Sequence, residues 1–343
     1  MEPGLLVARG GGEYAERARA LGVPVADLEL RSGADPRVLT RGPAAMRGWD
    51  VHHFHSAEPG LMAGSLRVRG AVRVYTNRGG AVEQPGSPSK RLRHGAVRRM
   101  LRRGFHGFSG NTAHAARVAA ERYGLPPARV AVTPNGIDFS LLEPERPRDE
   151  VRARLGAGPD DVLVGTSAVL KTWKRVERLL QAVATAEDPR LRAVVIGDGP
   201  ERAALEASTG EMGLAGRVTF TGMLRRVADE VAALDAFVLT SGRQESFGNS
   251  VVEAMALAVP SVVFADSPGA LEHVEDGRTG LVVPDVAGLA SALVRLADDP
   301  AAARRLGDAG AARVRDRYSL EAMVAAYRTL YEVAGGRAGR NRV

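Results

Sequence analysis

Short apolar runs alternate with helix-period segments along almost all of the 343 residues. A strand that follows a helical crossover comes back parallel to its neighbour, so this alternation restricts the chain to parallel sheets covered by helices on both faces. Strands are predicted at 5–8, 23–28, 50–55, 72–76, 106–109 and 130–133 in the first half, and at 163–168, 193–196, 218–220, 236–240, 261–264 and 280–283 in the second. Helical patterns fall between them, for instance Tyr14 to Leu21 and Thr112 to Tyr123. The breakers Pro134-Asn135-Gly136 and the polar stretch Pro144 to Pro147 separate two doubly wound α/β units. The expected division is a Rossmann-like unit over 1–140, a second over 141–318, a terminal helix over 319–334 and a disordered, basic, glycine-rich tail over 335–343.

Composition removes several function classes. The chain has no cysteine, which excludes disulfides, thiolate metal sites and cysteine nucleophiles and fits a reducing compartment. No apolar run reaches membrane-spanning length, and the start lacks the basic and hydrophobic pattern of a signal peptide, so a soluble, cytoplasmic protein is expected. The net charge of +7 comes from arginine spread through alanine-rich helices, without the interleaved aromatic residues of a stacking platform, so no nucleic-acid partner is expected. Lysine is the telling residue, because among 47 basic residues only Lys90, Lys171 and Lys174 are lysine, and two of these fall within four positions. Such usage suits a site that wants a compact ammonium rather than a planar fork.

The segment Glu245-Ser-Phe-Gly-Asn-Ser-Val-Val-Glu253 places one carboxylate before a helix start and another inside that helix. The run Asn249 to Ala258 is small and apolar on every side except at Glu253, and Val259-Pro260 ends it. An ionised carboxylate there costs on the order of 3 kcal/mol unless it is hydrogen-bonded, and a ribose diol would serve; a structural ion pair within a capped core helix would serve as well. Ser246, Phe247, Gly248 and Asn249 offer backbone N–H groups at the helix start, a natural place for hydroxyl and phosphate oxygens. Thr166 to Lys174 leaves a strand carrying both clustered lysines to the opening of the next helix, where a cation is poorly placed without an anion between. Gly197-Asp198-Gly199-Pro200 also follows a strand and permits close backbone approach, as any tight strand-to-helix turn might. In the first half, Asp50 to Ser56 ends a strand with three histidines. Strand alternation puts His53 and His55 on one side and His52 on the other, which argues against a metal site. Asn77, Arg78 and Gly79 lie in the polar loop after the next strand, as a cleft contact or an ordinary turn.

These segments, in this order, resemble the retaining nucleotide-sugar glycosyltransferases of family four, which have the GT-B fold. The match runs from the first predicted strand to the terminal helix and is most specific from Glu245 to Pro260 and from Glu275 to Pro284. The resemblance implies two Rossmann-like domains facing across a cleft, the second holding the donor and the first shaping the acceptor site, with the terminal helix crossing back. It implies that Glu245 binds donor-sugar hydroxyls, that Phe247, Gly248 and Asn249 present amides to the sugar, that Ser250 and Val251 meet the diphosphate and that Glu253 holds the ribose. By the same carry-over Lys174 matches the diphosphate lysine. Where the family has a nearby arginine this chain has Val169, leaving Lys171 to compensate, and where it often has histidine this chain has Asn77. The stretch from Leu5 to Arg19 resembles the family's second strand and helix, so the first domain is expected to lack its first strand and helix; alternatively Gly10 to Gly12 is the first loop of a compressed domain.

The expected activity is therefore transfer of a sugar from a nucleoside diphosphate sugar, UDP favoured over GDP, to a hydroxyl or amine of a polysaccharide, lipid-linked sugar or secondary metabolite. It proceeds with retention, without metal or cofactor, and with Lys174, Lys171 and Glu245 at the reacting centre. A sugar-nucleotide 2-epimerase on the same fold and a silent nucleotide-sugar-binding scaffold are the competing readings. The stretch Lys90 to Arg103 interleaves basic and apolar residues, as a solvated helix face, an anionic acceptor site or a peripheral contact with an anionic inner membrane face would.

Overall fold

A computed structural model describes residues 2–32, 35–80 and 86–340. Among the described residues, twelve strands form three all-parallel sheets. In chain order they are β1 (Leu5–Val7), β2 (Val25–Asp27), β3 (Val51–Phe54), β4 (Val72–Asn77), β5 (Gly107–Gly110), β6 (Val130–Val132), β7 (Val162–Ser167), β8 (Leu191–Ile196), β9 (Val218–Gly222), β10 (Ala236–Leu239), β11 (Ser261–Phe264) and β12 (Leu281–Val283). Each coincides with one of the predicted runs; β10 and β11, buried throughout, are apolar but for Ser261, as strands covered on both faces require, whereas β1, β2, β6 and β9 stay partly exposed. The chain is thus α/β with parallel sheets in two halves, as the resemblance implies.

The first half is split. Strands β3-β4-β5-β6 form one sheet in sequence order, while β1 pairs only with β2. The small pair packs through Leu28, Leu30 and Val38, and Leu6 touches both this cluster and the main core around Met62, Leu101 and Phe108. In the second half the order is β12-β11-β10-β7-β8-β9. Strand order reverses between β7 and β10, and at such a switch point the loops leaving the carboxyl ends diverge and open a crevice. The loops that carry Lys174 and Glu245 leave those two strands.

The terminal helix Leu320–Arg340 returns to the first half and lies over β4 and β5. Leu330 and Ala334 pack on Val74, and a Cβ at Gly107 would meet that of Ala334 at 3.0 Å. The expected disordered tail from Gly335 is corrected here as far as Arg340, which is still helical, because Ala338 is buried and Arg337 donates to the His106 carbonyl at 3.4 Å. Residues 341–343 lie outside the described residues. The basic helix Pro88–Gly104 turns Val97 and Leu101 into the core, so its amphipathic pattern already serves packing; Leu92 stays exposed. Among the described residues no helix is long and apolar enough to cross a membrane.

Because Leu330 is the largest buried side chain of the patch that joins this helix to the first sheet, Leu330→Ala should cost about 2–5 kcal/mol of stability. A shift of the urea midpoint at unchanged slope would show it.

Candidate donor site at the switch point

Lys174 closes the short turn Thr172–Lys174 after β7, and Arg175 follows in left-handed conformation at φ 53°. Thr240, just past β10, donates its hydroxyl to the Lys174 carbonyl at 2.7 Å. The Lys174 ammonium lies 2.7 Å from Glu245 Oε2 and 4.2 Å from the centre of the Trp173 ring. Ser241 donates to the same carboxylate oxygen at 2.9 Å. The carboxylate side chain is 9% exposed and the lysine 18%, so the pair is largely out of water. Removing one partner of such a pair strands the other at about 3–5 kcal/mol.

From Glu245 the chain turns through Gly248, whose φ of 80° a side chain would strain, into the helix Asn249–Ala256. Phe247 is a core residue, 2% exposed, packed against His273 and Tyr318. Phe247 can therefore meet a ligand only through its backbone, whereas Asn249 is exposed and its side-chain oxygen accepts from Asn135 at 2.9 Å. Val251 departs from its expected role at the diphosphate, since its side chain is fully buried and its N–H donates to the Gly248 carbonyl at 3.1 Å. Glu253 is half-buried, and among the described residues no hydrogen bond or ion pair reaches its carboxylate, so burial alone pushes its carboxyl above the ordinary range.

The loop Gly197 to Pro200 packs against the loop after β7. A Cβ at Gly197 would lie 2.0 Å from the Ala168 carbonyl oxygen, and one at Gly199 would lie 2.5 Å from that of Leu170. Asp198 is occupied by Arg202 at 3.2 Å and by the Gly199 N–H at 2.7 Å. Between these loops lies a cavity of about 200 Å³ lined by Ser167, Ala168, Val169, Ile196, Gly197, Asp198, Met223, Leu224 and Val227. Val169 and Met223 line it while remaining 51% and 76% exposed, so its walls are mostly apolar. Lys171 is exposed, and no bond among the described residues joins its side chain to Lys174 or Glu245.

On the facing side, His53 binds Thr76 Oγ1 at 2.7 Å and the Tyr331 hydroxyl at 2.8 Å, and its ring lies 4.1 Å from that of His55. Burial, helped by nearby His55 and Arg78, holds His53 at about 3, and burial with Arg78 holds His55 at about 4, so both are neutral near pH 7. His52 points the other way, onto Ser65 and the Met46 carbonyl. Asn77 spends its amide hydrogens on the carbonyls of Gly79 at 2.9 Å and Ala115 at 2.8 Å, so it shapes its loop rather than offering a donor to the cleft. Arg78 donates to the Tyr327 hydroxyl at 3.3 Å and Gly79 is exposed. A Cβ on Gly80 would sit 2.5 Å from the Glu245 carbonyl oxygen, so this loop abuts the donor motif.

Sequence reasoning missed Ser241, Trp173 and His273. Ser241 and Trp173 meet neighbours in their own loops, Glu245 and Lys174, as ordinary polar and aromatic residues that carry no motif, while the partners of His273 lie in distant segments that no local spacing marks. His273 is fully buried, with Nε2 on the Phe247 carbonyl and Nδ1 on the Tyr318 hydroxyl, both at 2.7 Å. The carbonyl can only accept, so Nε2 carries the proton and Nδ1 accepts from the tyrosine.

Two family models tile the chain, Glycosyltransferase Family 4 over residues 2–141 and Glycosyl transferases group 1 over residues 147–313. The chain belongs to the family-four glycosyltransferases of the GT-B class. It is 33% identical over 239 residues to D-inositol 3-phosphate glycosyltransferase of Streptomyces bingchenggensis, covering 65% of this chain and 52% of the relative. Over 262 residues it is 33% identical to 2-deoxystreptamine glucosyltransferase of Streptomyces kanamyceticus, covering 70% and 66%. The matches thus span about half the length of the first of these relatives and two thirds of the second. The crystal structure of Anabaena HepE in complex with UDP shares the fold, with a TM-score of 0.82 at 21% identity over 96% of this chain and 92% of that one.

Burial pushes the His273 imidazole from its ordinary 6.5 down to about 4, so the unfolded chain takes up this proton before the folded one does. Its contribution is complete above about pH 6.5, falls as pH drops toward about 4 and then levels, about 3 kcal/mol in all. His273→Gln should therefore lose less stability than wild type between pH 7 and 4, which urea unfolding at the two pH values would measure.

Proposed function

We propose that this protein transfers a glycosyl group from a UDP-sugar to a hydroxyl of a polyhydroxylated acceptor, with retention at the anomeric carbon and without metal. The observation that carries the reading is the Lys174–Glu245 pair at the crevice, in the same segment as a Glu253 carboxylate that no described residue bonds. Glu253 takes the ribose diol, the apolar cavity beside Val169 and Met223 takes the base, and Lys174 moves from Glu245 onto the diphosphate. Glu245 is thereby released to the sugar hydroxyls. As the glycosidic bond breaks, negative charge grows on the leaving phosphate, where Lys174 and the first N–H groups of the helix Asn249–Ala256 oppose it. The leaving phosphate accepts the acceptor's proton on the same face, so no side-chain base is needed. Lys171, at the mouth of the same loop, supplies a second positive charge.

UDP is favoured because the structural neighbour HepE binds it and because the cavity is small and apolar. The curated relatives bear names of inositol phosphate and aminocyclitol acceptors, which supports a compact polyol or a glycan end as acceptor. Peripheral contact with an anionic cytoplasmic membrane face through Lys90 to Arg103 would rest on charge and Leu92, since Val97 and Leu101 are in the core.

Lys174→Ala should lower turnover about 100-fold or more while changing UDP affinity far less, as paired kinetics and calorimetry would read. Unchanged turnover refutes the role. Glu253→Gln should weaken UDP binding by calorimetry, and unchanged affinity would remove the ribose assignment. Incubation with donor alone separates transfer from epimerisation, because only an epimerase converts the sugar without an acceptor.

A further inference from the structure

Helix Ala113–Tyr123 belongs to the first half, yet its opening is completed by the second. Glu272 accepts from the Ala113 N–H at 2.9 Å and from the His114 N–H at 2.8 Å, one carboxylate oxygen to each. The next N–H, of Ala115, goes to the Thr112 hydroxyl at 3.0 Å, and that hydroxyl donates onward to the Ser246 carbonyl at 2.8 Å. A helix start needs partners for these N–H groups, and its dipole favours a carboxylate there. Both demands are met from across the domain boundary, more than 130 residues away in sequence.

The residue after Glu272 is His273, which holds the Phe247 carbonyl. Consecutive carbonyls of the donor loop are therefore gripped from opposite halves, Ser246 by Thr112 and Phe247 by His273. The backbone leading into them is also closely packed, since a Cβ on Gly269 would lie 2.3 Å from the Ser246 carbonyl oxygen and one on Gly80 would lie 2.5 Å from that of Glu245.

We propose that Glu272 is a positioning residue that couples closure of the cleft to the shape of the donor loop. It touches no substrate. Docking the helix onto Glu272 brings Thr112 to Ser246, so the loop holds its donor-binding form while the halves are together and relaxes when they part. The donor in turn stabilises the closed form. This inference rests on the transfer reading for its consequence at the donor, and on geometry alone for the contact between halves.

The test uses the full chain as wild type, Glu272→Ala and Thr112→Val, with UDP as the probe. Small-angle scattering of the nucleotide-free Glu272→Ala protein should show a larger radius of gyration, and saturating UDP should restore the compact profile. Losing two charge-assisted bonds from the closed state should raise the calorimetric Kd for UDP about 10- to 100-fold. Thr112→Val should shift both in the same direction by less, and it carries the test should Glu272→Ala fail to fold. Scattering and Kd equal to wild type in the variants would overturn the proposal, as would a weakened Kd with no opening, or an opening that saturating UDP does not reverse. If wild type itself binds no UDP, the UDP reading fails, and the nucleotide-free scattering still decides whether Glu272 holds the halves together.

Discussion

A carboxylate withdrawn from water has to be paired, and the pairing of Glu245 with Lys174 is the constraint around which the second half is arranged. Each belongs to a loop leaving one of the two strands that flank the reversal in strand order. The ion pair ties the two sides of the crevice together before any ligand arrives. Thr240 fixes the lysine's backbone and Ser241 fixes the carboxylate, so consecutive residues after β10 support both partners. On the proposed function the pair is also what a donor would disrupt: its sugar hydroxyls would hydrogen-bond the acid and its diphosphate oxygens would meet the ammonium, so that neither charge would be left stranded.

Much of this architecture was legible in the sequence because it rests on local regularities. A strand buried on both faces declares itself as an apolar run, and all twelve runs became strands. The donor motif was legible for a related reason: a carboxylate in an otherwise apolar helix conflicts with its surroundings, and Glu253 keeps that conflict in the folded chain. Val251 shows the limit of motif transfer, since its position marks the diphosphate end of the helix while its own side chain and N–H are turned inward.

What stayed hidden depends on pairings over long separations. Asn77 looked like a cleft donor at the end of a strand, but Ala115, on a helix that spacing does not tie to it, takes its amide. Glu272 and His273 look like ordinary polar residues in a short turn, and their meaning comes from Ala113, Phe247 and Tyr318. The split of the first half into two sheets is likewise a matter of which edges meet, which apolar runs do not encode. The helical continuation past Ala334 followed from tertiary burial of Ala338, overriding a glycine-rich composition that by itself favours disorder.

The returning helix Leu320–Arg340 makes the first half incomplete without the last residues of the chain. Its Tyr331 supplies a partner for His53, and Leu330 and Ala334 supply the apolar cover for Val74. A chimera that exchanges acceptor-side halves between relatives by cutting only at the linker would pair a new sheet with a foreign cover. Modular recombination of this chain therefore has two junctions, one near Pro134 and one near Tyr318, and a swap that respects both moves sheet and helix together.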